Sequence, residues 1–118
     1  MSTFVIAEAG VNHNGDVEAA LEMIAAASEA GASAVKFQSF NAEQVVTGNA
    51  NKATYQKAQT GSGGSQLEML KSLQLSEEDH AVLAEACSST GIEFISTAFD
   101  TQSLDLLVSL GVTRFKVP

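Results

Sequence analysis

Ala34-Val35-Lys36-Phe37-Gln38-Ser39-Phe40 reads as a buried β-strand whose carboxyl end carries polar side chains. Side chains alternate along a strand, so Ala34, Lys36 and Gln38 share one face while Val35, Phe37 and Ser39 share the other. Three further stretches have the same character. Residues 4–9 end around Glu8, residues 94–99 carry Ser96 and Thr97, and residues 114–117 carry Lys116. An isolated charge in an apolar interior is costly unless it is paired or solvated. Meeting that cost at strand end after strand end points to a site. In a (β/α) barrel the carboxyl ends of the strands face the mouth built by the βα loops, where catalytic groups collect.

Helical patterns separate the strands. After the first comes the turn-rich Asn12-His13-Asn14-Gly15, then a helix from about residue 16 to 30 with Val17, Leu21, Ile24 and Ser28 at helical spacing and Gly31 as its stop. The second strand gives way to a long segment without strong periodicity, through Asn49, Asn51 and Tyr55 to the glycine–serine run at 61–65, the expected mobile part. A short helix is expected over 66–73. Ser76-Glu77-Glu78-Asp79 resembles a capping box, opening a helix whose inner face is Val82, Leu83, Ala86 and Cys87. The third strand runs from Glu93 to about Thr97. Asp100 or Thr101 caps a last helix carrying Leu104, Leu107 and Val108, and the fourth strand covers 114–117.

The order β-α-β-α-β-α-β with parallel strands is an α/β pattern. It predicts the N-terminal half of a TIM (β/α)8 barrel, since a whole barrel takes about 250 residues. Residues 1–118 are accordingly expected to be the N-terminal part of one barrel domain, cut after the fourth strand, with an apolar sheet edge left unpaired.

With 45% hydrophobic and 17% charged residues, the chain is globular and not disordered. A net charge of −8 argues against a nucleic-acid partner, which needs a basic footprint. An anionic ligand would have to be held by local cations, and two of the six, Lys36 and Lys116, fall on strands. A single cysteine excludes an internal disulfide and fits a reducing compartment. No apolar run approaches the roughly 20 residues that span a bilayer, and no cleavable leader is evident, so a cytoplasmic setting is expected.

Lys36 alone could be a strand-end lysine snorkelling to water. Glu8, Gln38 and Lys116 at equivalent places favour a site. Thr97 precedes a helix amino terminus, where N–H groups and the dipole favour anions, although it would equally fill an ordinary β position. His13 has no second ligand at metal spacing, His80 reads as an ordinary helix residue, and Cys87 lies on an apolar helix face.

Taken in order, Ile6-Ala7-Glu8-Ala9-Gly10-Val11-Asn12-His13-Asn14-Gly15, Ala34-Val35-Lys36-Phe37-Gln38, Phe94-Ile95-Ser96-Thr97-Ala98-Phe99 and Phe115-Lys116-Val117-Pro118 resemble the N-acetylneuraminate (sialic acid) synthase family. The resemblance covers essentially the whole chain. It implies a TIM barrel that condenses phosphoenolpyruvate with an N-acetylated amino sugar, typically N-acetylmannosamine, to give a nonulosonic acid and phosphate. It also implies a divalent metal (Mn2+ or Mg2+) that polarises the sugar aldehyde, with ligands outside this chain. Position by position, Glu8 matches the glutamate beside the reacting centre, with a role in proton transfer or water positioning. Lys36, Gln38, Thr97 and Lys116 match groups that hold the phosphate and carboxylate of phosphoenolpyruvate, and Asn49 resembles a loop asparagine that contacts the sugar. The resemblance further implies a homodimer at full length, with a C-terminal domain reaching into the partner's site, and an inactive fragment if these 118 residues stand alone. The competing readings are another phosphoenolpyruvate-condensing 3-deoxy-sugar-acid synthase, or a non-catalytic half-barrel that binds a sugar phosphate.

Overall fold

Several helices begin where a side chain replaces the missing backbone acceptor for the first N–H groups. The structure, a computed structural model, describes residues 2–48 and 64–118. Its elements are β1 (Ile6–Gly10), α1 (Val17–Glu29), β2 (Ala34–Ser39), α2 (Ala42–Gly48), α3 (Gly64–Leu73), α4 (Glu77–Thr90), β3 (Glu93–Ala98) and α5 (Thr101–Ser109). Asp16 Oδ1 accepts from the Glu18 N–H at 2.9 Å to start α1. Ser76 and Asp79 form the expected reciprocal capping box at α4. Asp100 Oδ1 accepts from the Ser103 N–H at 2.7 Å to start α5. Its other oxygen accepts from the Asn41 N–H at 2.7 Å, which ties the β2–α2 junction to the end of β3.

The three strands form one parallel sheet in the order β1-β2-β3. The stretch over 114–117 is not a full strand. It makes one parallel bridge, Thr97 to Lys116, beside β3. That bridge decides between two architectures. A dinucleotide-type doubly wound sheet places its fourth strand beside the first, whereas a barrel adds each strand beside the last. Here the fourth stretch follows the third, which is the barrel's order.

The core lies between the sheet and the helices. Val35 and Phe37 from β2 and Phe94 from β3 pack with Ala20, Ile24, Ala27, Leu83, Cys87 and Leu107 from α1, α4 and α5. Burying a side chain such as Ile24, Leu83 or Leu107 contributes about 1.5–3 kcal/mol. The periodicity of α1 is met by Ala20, Ile24 and Ala27, with Val17 and Leu21 partly buried at the flank. Two expectations for the other helices fail in part. Val82 in α4 and Leu104 and Val108 in α5 are exposed, whereas Leu83, Cys87 and Leu107 are buried in the core and Ala86 packs partly buried against it. His80 takes an inner place on α4. At the turn before α1, a Cβ on Gly15 (φ +77°) would run into the Ser72 carbonyl, so glycine lets this turn close against the end of α3.

Candidate active site

The face of the sheet turned away from the helices carries the predicted polar residues in two rungs. Glu8 is in register with Lys36, and Lys36 with Ile95. One rung on, Gln38 is in register with Thr97, and Thr97 bridges to Lys116. Adjacent strands lie about 4.8 Å apart, so residues as distant in sequence as Gln38 and Thr97 become neighbours on one surface. Lys36 Nζ lies 3.1 Å from Glu8 Oε2, with the lysine 21% and the glutamate 50% exposed. A pair this open to water contributes only about 0.2–1 kcal/mol to folding. Its charges are therefore poor stabilisers and remain available to a ligand. Thr97 is buried beneath the surface of the second rung. Lys116 is exposed, and its Nζ donates to the Val117 carbonyl at 2.8 Å, so the ammonium is turned along its own segment. Asn49 lies outside the described residues.

A feature not read from the sequence sits at the end of β1. The register slips between Glu8 and Gly10, so that Gly10 stands opposite Phe37. A one-residue bulge of this kind leaves two residues facing one and reverses which face each later side chain takes. Beyond it Val11, and not an even-numbered residue, joins Gln38 on the site side, where both line one cavity. Gly10 has φ +56°, and a Cβ there would lie 3.3 Å from Glu8 Oε1 and 3.8 Å from Gln38 Nε2. Glycine thus fits both the backbone and the space between the two functional side chains.

The NeuB family profile matches residues 23–118. The chain belongs to the NeuB family. It is 57% identical over its whole length to N,N'-diacetyllegionaminic acid synthase of Legionella pneumophila, covering 33% of that protein. It is 33% identical over 98% of its length to N-acetylneuraminate-9-phosphate synthase of Drosophila melanogaster, covering 31% of it. The crystal structure of N-acetylneuraminic acid (sialic acid) synthetase from Leptospira borgpetersenii, in complex with citrate, superposes with a TM-score of 0.78 at 31% identity. That match covers 99% of this chain and 36% of the other. The chain therefore spans about a third of the length of these relatives, with the α/β arrangement of the first part of a TIM barrel.

Behind the rungs, on the helix face, this NeuB-family chain holds a buried polar chain that the sequence reading passed over. His80 Nδ1 lies 2.7 Å from the Ser76 carbonyl, which can only accept, so this nitrogen carries the proton. His80 Nε2 then accepts from the Ser39 hydroxyl at 2.7 Å, leaving Ser39 to accept from the Ser96 hydroxyl at 2.5 Å. The available signal was two serines on strand faces that otherwise point apolar residues at the core. His13 is also buried, against Phe37, with Nδ1 accepting from the Gly15 N–H at 2.9 Å and Nε2 without a partner among the described residues. Desolvation, and then the nearby His80, hold its pKa below the usual histidine value. Burial pushes the Cys87 thiol up to about 12, which removes it as a nucleophile at neutral pH. No three His, Cys, Asp or Glu side chains among the described residues are grouped to hold a metal ion. The described residues do not fit a metal centre by themselves. No helix among them is long and apolar enough to cross a membrane.

Proposed function

We propose that the complete protein carrying this chain condenses phosphoenolpyruvate with an N-acetylated amino sugar, of the N-acetylmannosamine type or a diacetamido counterpart, giving a nonulosonic acid and inorganic phosphate. The observation that carries this reading is the Glu8–Lys36 pair on a barrel-type strand end, with Gln38, Thr97 and Lys116 on the next rung. Family membership supports the class of reaction. The second acetyl group is suggested by the name of the relative at 57% identity.

Phosphoenolpyruvate brings a phosphate and a carboxylate to a surface that offers two ammonium groups, a hydroxyl and a carboxamide. Lys36 and Lys116 neutralise the anion, while Thr97 and the Gln38 amide donate hydrogen bonds and fix its orientation. The enol carbon then forms the new C–C bond to the sugar aldehyde. Water adds to the adjacent carbon, and the resulting tetrahedral centre expels phosphate. Glu8 stands beside Lys36, where it positions that water or accepts its proton. Once the incoming anion shares Lys36, the Glu8 carboxylate is held less tightly by its partner and is freer to turn towards that water. Asn49 contacts the sugar in this reading. Metal ligands, a further domain and a dimer partner come from outside these 118 residues, and the chain on its own is inactive.

The test is phosphate release by the complete protein, which we expect only when phosphoenolpyruvate and the acylated sugar are both present. Lys36→Ala should weaken phosphoenolpyruvate binding at least about tenfold, as expected for loss of a charge-assisted contact. Unchanged binding in that variant would remove the phosphate-site reading.

A further inference from the structure

Ser39 and Ser96, on the helix side of the sheet, are the chain neighbours of Gln38 and Thr97, which share a rung on the open side. The two serines are diagonal partners, because Ser96 is in register with Phe37 and Ser39 with Ala98. Their hydroxyls meet at 2.5 Å, and the Ser39 hydroxyl donates to His80 Nε2 at 2.7 Å. His80 is fixed in turn through Nδ1 to the carbonyl of Ser76, the cap of α4. Ser39, Ser96 and His80 are 1%, 0% and 3% exposed, so the whole link is shut away from water.

Apolar side chains would fill the same place with no hydrogen bonds to satisfy, and a buried polar group is costly unless it is paired. A fully paired set does what apolar packing does not. Hydrogen bonds depend on distance and angle, so they fix the spacing of the elements they join, whereas apolar contacts slide. That stiffness sits where the sheet gives out. The Phe99 N–H donates to the Ser39 carbonyl at 3.0 Å just past Ala98, and the two strands then lead away into α2 and α5. We propose that Ser39, Ser96 and His80 are positioning residues that brace the ends of β2 and β3 from behind. They hold Gln38 and Thr97 at the separation at which both reach one anion. The proposal rests on the condensation reading above and assigns the brace to its phosphoenolpyruvate half. Glu8 and Lys36 lie one rung earlier and hold each other directly, so loss of the brace reaches them least.

The test is steady-state phosphate release by the complete protein, with phosphoenolpyruvate and the acylated sugar varied in turn. In Ser39→Ala, which cuts the link at its middle, the KM for phosphoenolpyruvate should rise about tenfold, as for a misplaced hydrogen bond to a charged group, while kcat and the sugar KM change by less than about twofold. Ser39→Thr keeps the hydroxyl and should restore the phosphoenolpyruvate KM. Leu83→Ala empties part of the core beside the same helix, costs folding at least as much, and should leave that KM in place. Ser96→Ala keeps the Ser39–His80 bond, so it is the milder cut where Ser39→Ala does not fold, and it should show the same selective rise. An unchanged phosphoenolpyruvate KM in a folded serine variant, an equal rise in both KM values, or an equal rise in Leu83→Ala overturns the positional role and leaves the condensation reading standing. Loss of the fold in both Ser39→Ala and Ser96→Ala does the same, since it assigns the link to folding. A parent protein that releases no phosphate with any acylated amino sugar overturns both.

Discussion

Gly10 links the shape of β1 to the chemistry beside it. An alanine there would have to hold φ near +56°, which costs about 1–2 kcal/mol for an L-residue, and its Cβ would press on the Glu8 carboxylate at 3.3 Å. Gly10→Ala should therefore lower the unfolding free energy by that amount and reduce kcat further than the stability loss explains. Thermal melts and steady-state kinetics on the same preparation would show it, and full activity would mean that Glu8 has no required position. His13 supplies a pH dependence. Folding keeps it neutral to a pH below the ordinary 6.5, mainly by desolvation and then by His80, with Gly10's backbone, Asp16 and Asp79 opposing in part. Below about pH 6.5 the unfolded chain binds a proton that the folded chain refuses, so stability is fully present above that pH and declines as pH falls through it. His13→Asn keeps an oxygen to accept the Gly15 N–H and removes the titration. Denaturant melts should then decline less between about pH 7 and 5 than those of the parent, and equal slopes would exclude His13 as the source.

At the scale of elements, much of the plan was legible in the sequence because its signals are local. Asp100 and the Ser76–Asp79 box are caps that need only neighbouring residues, and both were found where expected, while Asp16, read as the first residue of its helix, turned out to be its cap. Strand alternation likewise put Lys36 and Gln38 on one face. What escaped was decided by distant partners. Helix α2 has seven residues and no periodic face, and its start is held by Gln74, whose side-chain oxygen accepts from the Ala42 N–H at 2.9 Å. The bulge escaped because a slip of one residue leaves too short a remainder of β1 to show a changed alternation. The Ser96–Ser39–His80 chain joins β3, β2 and α4, which no single segment announces. Ser39→Ala would strand a buried histidine nitrogen and should cost about 1–3 kcal/mol. A chemical-denaturation midpoint equal to that of the parent would show that the chain contributes nothing to folding.

Over the whole molecule, the covered and uncovered sides of the sheet differ sharply. The helix side is closed, whereas Phe4, Val5 and Ile6 at the β1 end and Phe115 and Val117 at the other margin are exposed. Contiguous apolar margins beside strands with unpaired N–H and C=O groups favour edge-to-edge association. The 118-residue chain by itself should accordingly self-associate at tens of micromolar despite its net charge of −8, and light scattering would detect this. A monomer at that concentration would show that these margins are closed by other means. The slip at Gly10 has a consequence of a different kind. Removing one residue there would restore plain alternation to β1 and still leave Ala7 and Val35 their places on the helix side. The sheet would accept such a deletion far more readily than the site, which would keep Val11 opposite Gln38 but lose the slip that sets a glycine between Glu8 and Gln38. Selection for expression alone would pass the shortened protein, and only selection for product would reject it, so the bulge marks a position where heritable change in foldability and in activity come apart.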